Sequence, residues 1–275
     1  MPIEFARRGH GPVMYVHPGG PGLSSAEFGD DFAGLEHIFE LVLIDPRGTG
    51  RSGTPPDPRA YSLDDYVADL TQIIPAGVPP VMLLGFSHGG LVAQQFAAHF
   101  GRRISALVLA STAARFSNET ISAMDKHIES KRGEAWFDSA MAALKREQAG
   151  DFQDAAELGT LLAQEMPLYF HSFDARAQAY TEKLREHGCN PNALRYFNEV
   201  EFRKIDLRPE LARITTRTLI IAGDSDFICP PEATRELHES IKGSEVVTIP
   251  EAGHMTFVEQ PEAFAAACAR LQLHG

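Results

Sequence analysis

The run Val81–Gly90, VMLLGFSHGG, decides the fold. Its first part, Val81–Phe86, is apolar and free of charge, as a strand buried on both faces should be. The stretch that follows, Leu91–Phe100 (LVAQQFAAHF), is apolar almost all round and reads as a buried helix. Between the two, Gly85-Phe86-Ser87-His88-Gly89 fits G-x-S-x-G in the strand–turn–helix setting that a nucleophile elbow requires. So sharp a turn strains the backbone at the serine, and small residues two positions to either side let strand and helix pack closely. The hydroxyl then projects above the sheet, at a helix N-terminus where developing negative charge is favoured.

Working outward, the same alternation recurs. Val13–Val16, Glu40–Ile44 and Ile104–Ala110 are further strand-like runs, and Ser62–Ile74 opens with an N-cap serine and two acidic residues in its first turn. The pattern resumes late in the chain with a strand at Thr218–Ala222, a helix at Pro231–Lys242, a strand at Glu245–Ile249 and a helix at Glu259–Leu271. Apolar strands with helices between them predict an α/β protein with a mostly parallel central sheet flanked by helices. From about Arg115 to Leu207 no convincing strand occurs, and helical stretches such as Thr120–Ser130, Ala135–Gln148 and Ala175–His187 dominate. The expected organisation is a core of residues 1–114 and 208–275 interrupted by a helical cap of residues 115–207. Eleven of the 24 aromatics lie in that insertion. Most are expected to pack its helices together and a few to line an apolar pocket.

A serine hydroxyl needs a base, and the base needs an orienting acid. In this architecture the acid and then the histidine follow the serine in the chain. The strand Thr218–Ala222 runs into Gly223-Asp224-Ser225-Asp226, and the last strand into Pro250-Glu251-Ala252-Gly253-His254. Both loops leave the carboxyl ends of strands, where sites on open parallel sheets lie. His254 is the expected base. Asp226 and Asp224 compete as the acid; Asp226, past the turn, has more room to reach His254, and Asp224 is expected to support the turn. The oxyanion hole calls for two backbone N–H groups, one from His88 and one from the glycine-rich loop His17-Pro18-Gly19-Gly20-Pro21-Gly22, with Gly20 the expected donor and Gly19 close to the substrate. The His88 ring is not expected to act as a base.

Other chemistries fall away. The chain carries a net charge of −12 with no local Lys/Arg run, which disfavours nucleic acid. Gly48-Thr49-Gly50-Arg51-Ser52-Gly53 matches G-x-G-x-x-G, but Pro55, Pro56 and Pro58 follow at once, so no helix opens to receive a dinucleotide phosphate. Cys189, Cys229 and Cys268 show neither CxxC nor zinc spacing, and HExxH and calcium loops are absent from the sequence, so no metal or cofactor is expected. Sparse cysteines, a polar start without a signal-peptide pattern, and no apolar run near the roughly 20 residues of a membrane span predict a soluble cytoplasmic protein without a membrane partner.

Taken together, the GGPG loop at Gly19–Gly22, the DPRGTGRS turn at Asp45–Ser52, the GFSHG elbow, the GDSD loop at Gly223–Asp226 and the AGH turn at Ala252–His254 make the chain resemble, over nearly its whole length, the α/β-hydrolase fold proteins with a helical cap. Within that superfamily the GGPG loop is similar to the HGGPG of the proline iminopeptidase branch, whose members release N-terminal residues from short peptides and hold the free amine with acidic side chains near the cap. The resemblance makes Asn198-Glu199 similar to the Asn-Glu pair of that branch and Glu199 a candidate amine anchor, with Glu201 a weaker one. The sequence departs from the branch in reading GFSHG where GGSWG is usual, in having Pro18 where the loop histidine would stand, in Phe227 after the acid, and in a short lead before the first strand. The resulting expectation is a serine hydrolase of a small ester, lactone or amide. The alternatives are an iminopeptidase-type aminopeptidase acting on a short peptide and a ligand-binding protein on the same fold. A dehalogenase is disfavoured because its nucleophile would be an aspartate at position 87.

Overall fold

The computed structural model describes residues 1–77 and 79–272. Seven strands form one sheet: β1 (Phe5–Gly9), β2 (Val13–His17), β3 (Glu40–Ile44), β4 (Val81–Phe86), β5 (Ile104–Ala110), β6 (Arg217–Gly223) and β7 (Glu245–Ile249). Their order is β1-β3-β2-β4-β5-β6-β7, all parallel except β1, which runs antiparallel to β3. The middle strands are the apolar runs of the sequence because both faces are covered, and every residue of β4 beyond Val81 is buried. Two large apolar clusters lie on opposite faces of the sheet. One gathers Met14, Val16, Leu84, Phe86 and Val108; the other gathers Tyr15, Leu83, Leu107 and Leu109. The alternation of neighbouring residues between them is the strand period.

Strand β1 has no counterpart in the sequence reading. It reads FARRG, with two arginines and no apolar run. It forms because β3 offers a free edge, and its charges are paired, Arg7 with Glu40 at the start of β3 and Arg8 with Glu36 in the short helix before it. The helix expected over Ser62–Ile74 runs from Leu63 to Ile73, with Ser62 and Asp65 forming a capping box. The helix after the elbow starts at His88, three residues earlier than its apolar run. The last helix is broken into Thr256–Glu259 and Pro261–Ala269, since Pro261 has no N–H to continue the first.

Between β5 and β6 the described chain is helical, with long helices at Asn118–Ser130, Phe137–Gln148, Ala155–Glu165 and Ala175–His187. The second and third pack on each other, as do the third and fourth. Arg115 and Asp206 form an isolated antiparallel bridge where this insertion leaves and rejoins the sheet.

The chain visits β3 on one side of β2 and then crosses to β4 on the other. Strand order therefore reverses between β2 and β4, and a crevice opens at their carboxyl ends. Register pairs His17 with Gly85, so the glycine-rich loop after β2 and the serine after β4 emerge side by side.

The Asp45–Ser52 turn beside this crevice is closed by its own side chains. Asp45 accepts N–H bonds from Ser25 and Arg51, and a Cβ on Gly50 (φ +49°) would lie 2.5 Å from the Asp45 carboxyl carbon. Arg47 is buried and forks onto Asp69 at 2.7 and 2.8 Å while also donating to the carbonyls of Ala60 and Asp65. Arg47→Leu strands the buried Asp69 carboxylate, and a loss of about 3 kcal/mol in unfolding free energy is expected from urea titration. Arg47→Leu with Asp69→Leu is expected to recover much of it.

Candidate active site

Ser87 sits between β4 and its helix at φ +51°, ψ −117°, a conformation that a side-chain-bearing residue adopts only when its surroundings force it. The surroundings do so through glycine. A Cβ on Gly85 would lie 2.3 Å from the Gly89 carbonyl oxygen, and one on Gly89 would lie 2.4 Å from the carbonyl oxygens of His17 and Pro18. The turn is pinned further by Ser87 N–H donating to Ala110 and by Thr112 Oγ1 donating to the Ser87 carbonyl, both at 2.9 Å.

Ser87 Oγ lies 2.9 Å from His254 Nε2, and His254 Nδ1 lies 2.8 Å from Asp226 Oδ2. His254 and Asp226 are buried. The imidazole is flanked by the rings of Phe86 and Tyr169, at 5.2 and 5.8 Å between centroids. The second oxygen of Asp226 accepts the N–H groups of Ile228 and Cys229, both at 2.9 Å, which hold the carboxylate in place. With Nδ1–H donated to Asp226, Nε2 turns a lone pair to the serine hydroxyl, the geometry of a general base. Asp224 is directed elsewhere: it accepts from the Ser225 hydroxyl and from the N–H of Glu251. Of the two competing aspartates, the structure brings Asp226 to His254.

Gly20 and His88 both border the cavity at Ser87. Gly20 has φ +101°, which suits glycine. Gly19, expected to lie against substrate, does not line the cavity. Its N–H is taken at 2.5 Å by the buried Glu27, and a Cβ there would meet the Phe86 ring at 2.9 Å. Burial pushes Glu27 up to about 8, against the pull of the Gly19 N–H. Ser25 is bonded to Asp45, so the Asp45 turn, Glu27 and the glycine loop are fastened in series. Nothing in the sequence marked Glu27, because its role depends on a contact eight residues back across a turn. The His88 ring is buried against Tyr66 and Phe197, and burial lowers its pKa to about 3, so it stays neutral.

The cavity has a volume of about 410 Å³. From the insertion it receives Ile121, Met124, Leu144, Phe197 and Phe202, and from the loop after β6 Phe227 and Ile228. Its polar exceptions include Asn198, Arg203 and Glu147. Glu199 and Glu201, the amine anchors expected from resemblance, do not line it; Glu199 is exposed. The backbone makes a π-type turn over Phe197–Glu201, which places Asn198 rather than Glu199 at the cavity. Asn198 Nδ2 donates to Glu147 Oε1 at 3.0 Å. Glu147 and its neighbour Glu165 are buried, and among the described residues neither forms an ion pair. Burial raises both carboxyls, and the charge of Glu147 lifts Glu165 further, well above the usual range. Sequence spacing also gave no sign that the Cys229 thiol comes within 4.8 Å of ligand atoms on Asp226 and His254. Burial and the Asp226 charge raise that thiol well above its ordinary value, so it stays protonated.

A family model described as alpha/beta hydrolase fold matches residues 12–261, and the chain belongs to that family. It is 29% identical to proline iminopeptidase PfmaB of Pestalotiopsis fici over 254 residues, covering 90% of this chain and 86% of that protein. It is 30% identical to 3-oxoadipate enol-lactonase 2 of Acinetobacter baylyi, covering 82% and 76%. Among solved structures, the fold matches an esterase from Exiguobacterium antarcticum at a TM-score of 0.75, with 23% identity and coverage of 98% and 95%. Among the described residues no helix is long and apolar enough to cross a membrane.

The geometry separates the two aspartates experimentally. Asp226→Asn is expected to lower p-nitrophenyl butyrate hydrolysis by about ten-thousand-fold, because the amide favours the wrong histidine tautomer. Asp224→Asn should stay within a few-fold of the wild type in the same assay.

Proposed function

We propose that this α/β-hydrolase is a serine hydrolase that cleaves a small, largely apolar ester, lactone or amide through an acyl-enzyme at Ser87. The observation that carries this reading is the continuous hydrogen-bonded line Ser87–His254–Asp226, with a strained serine lining an apolar cavity. Ser87 Oγ attacks the substrate carbonyl carbon while His254 Nε2 takes the hydroxyl proton. Asp226 fixes the imidazole tautomer and stabilises the imidazolium. The N–H groups of Gly20 and His88 bond the oxyanion, aided by the helix that begins at His88. As the tetrahedral intermediate collapses, His254 returns the proton to the departing oxygen or nitrogen. Water, deprotonated by the same imidazole, then releases the acid and regenerates Ser87. We take the substrate to be a small molecule and the compartment to be the cytoplasm.

The esterase and lactonase side of this reading is supported by the apolar lining from Ile121, Met124, Phe197 and Phe227, by the Acinetobacter enol-lactonase relative, and by the cavity volume, which suits a small molecule. One observation favours an aminopeptidase as the second reading. Glu147 is a buried carboxylate at the cavity wall without a cationic partner among the described residues, which is costly unless a ligand supplies one. In that reading Glu147, steadied by Asn198, takes the place that resemblance assigned to Glu199, and the iminopeptidase relative points the same way.

The test is a parallel measurement of kcat/KM on p-nitrophenyl butyrate and proline p-nitroanilide, with Ser87→Ala as the blank. The butyrate ester is expected to be the better substrate, and Ser87→Ala is expected to abolish both turnover and covalent labelling by a fluorophosphonate. Labelling that survives in Ser87→Ala would falsify the assignment of the nucleophile. A marked preference for the proline anilide moves the conclusion to the aminopeptidase. In that event Glu147→Gln should raise its KM roughly tenfold or more, as expected for loss of a hydrogen bond to a charged group, and leave the ester unaffected.

A further inference from the structure

The short helix Thr256–Glu259 ends at a glutamate outside the substrate cavity. Glu259 Oε2 accepts the N–H of Gly253 at 2.6 Å, the residue before His254. Its other oxygen accepts the N–H groups of His171 and Ser172, at 2.8 and 3.2 Å, both in the helical insertion. One half-buried carboxylate thus joins two chain segments about 80 residues apart, and each of its oxygens serves a different one.

The two segments touch closely enough to need such a clasp. His254 N–H donates to the Tyr169 carbonyl at 2.7 Å. A Cβ on Gly253 would lie 2.4 Å from that same oxygen and 2.9 Å from the His171 nitrogen. His171 also reaches the acid loop, its Nδ1 lying 2.8 Å from Ser225 Oγ. Neither loop belongs to a helix or strand here, so the N–H groups of Gly253, His171 and Ser172 have no ladder to join and are taken by a side chain.

We infer that Glu259 is a positioning residue for His254: its carboxylate bridges the base-bearing loop and the cap, and thereby sets where the imidazole stands relative to Ser87. The kinetic side of this inference rests on the serine-hydrolase reading above. The glutamate cannot be replaced isosterically. A glutamine in the same place keeps one acceptor oxygen and turns an NH₂ donor toward the remaining N–H groups, so it serves the cap or the His254 loop but not both. Displacing the imidazole by a fraction of an ångström is enough to slow proton transfer heavily, while the cavity that binds substrate is left as it was.

The experiment compares wild type, Glu259→Ala and Glu259→Gln at pH 8, where the carboxylate, pushed up to about 7 by burial, is ionised. Three quantities are measured: kcat and KM on p-nitrophenyl butyrate, the rate of Ser87 labelling by a fluorophosphonate, and the low-field proton resonance of the His254–Asp226 hydrogen bond. Glu259→Ala is expected to lower kcat and the labelling rate by about tenfold or more with KM within about threefold, and to shift or broaden the low-field resonance. Added formate, small enough to enter the cleft left beside His171 and Gln260, should restore part of the rate in Glu259→Ala and none in Ser87→Ala. Glu259→Gln should fall between the two and covers the case in which the alanine variant does not fold. A kcat and a labelling rate within twofold of wild type in both variants overturns the inference, as does a change confined to KM. If the wild type itself is neither labelled nor active, the hydrolase reading fails, and the low-field resonance alone then decides whether Glu259 holds His254.

Discussion

A serine held at φ +51° between a buried strand and a buried helix needs its immediate surroundings cleared of side chains, and much of the site follows from that clearance. Gly85 and Gly89 approach each other so closely that neither tolerates a Cβ, and Gly89 also lies against the carbonyls of His17 and Pro18. The contact to His17 and Pro18 has a consequence beyond the elbow. It sets the loop after β2 directly against the start of the elbow helix, so that Gly20 and His88 reach the same cavity. The parallel pairing of β2 with β4 supplies the other half of the constraint, since it brings both loops out at one edge of the sheet. The strain at Ser87 is sustained by hydrogen bonds with the end of β5 and the loop after it, through Ala110 and Thr112.

The loops at that edge share a second device. Strand and helix backbones satisfy most of their own N–H groups, but loops leaving a sheet do so only in part. Here side-chain carboxylates take several of the remaining ones. Asp45 receives the N–H groups of Ser25 and Arg51, Glu27 that of Gly19, Asp226 those of Ile228 and Cys229, and Glu259 those of Gly253, His171 and Ser172. Each therefore orders a segment that borders the crevice. The electrostatic cost differs with what each carboxylate meets. Arg51 stands by Asp45, whereas Glu27 has no cation paired with it among the described residues and is lifted toward neutrality by burial. In this protein acidic residues act as much on the backbone of the site as on its chemistry.

The helical insertion divides its aromatic residues between two tasks. Phe152, Phe170 and Tyr180 are buried with the core clusters, while Phe116, Tyr169, Phe197 and Phe202 reach the cavity. Tyr169 belongs to both sides of the protein, because its carbonyl holds the His254 loop and its ring flanks the imidazole. The insertion is therefore joined to the His254 loop as well as lining the cavity. Charge is distributed to match: the apolar wall is interrupted by Glu147 and Asn198, which face the cavity together.

Much of this was legible in the sequence. Five of the seven strands, β2 to β6, are largely buried apolar runs, and β7 (EVVTI) keeps an apolar β-branched run although it lies half-buried at one edge; β1 (FARRG) was hidden because it has no such run and is specified by its partner's free edge and by charge pairs. The positions of Ser87, Asp226 and His254 could be read because each follows a strand, and strand ends on a parallel sheet converge. Of the two aspartates on one turn, Asp226 had the more room to reach His254, and the structure directs it there while Asp224 accepts from Glu251. Glu199 shows the limit from the other side. A residue pair matched by resemblance carries no information about helix phase, and a π-type turn places Asn198 at the cavity with Glu199 exposed. Glu27, Glu147 and Glu259 were unreadable for a common reason. Local periodicity records which face of an element is buried, but it does not record which distant backbone or cavity that face will meet, and only the tertiary structure decides that.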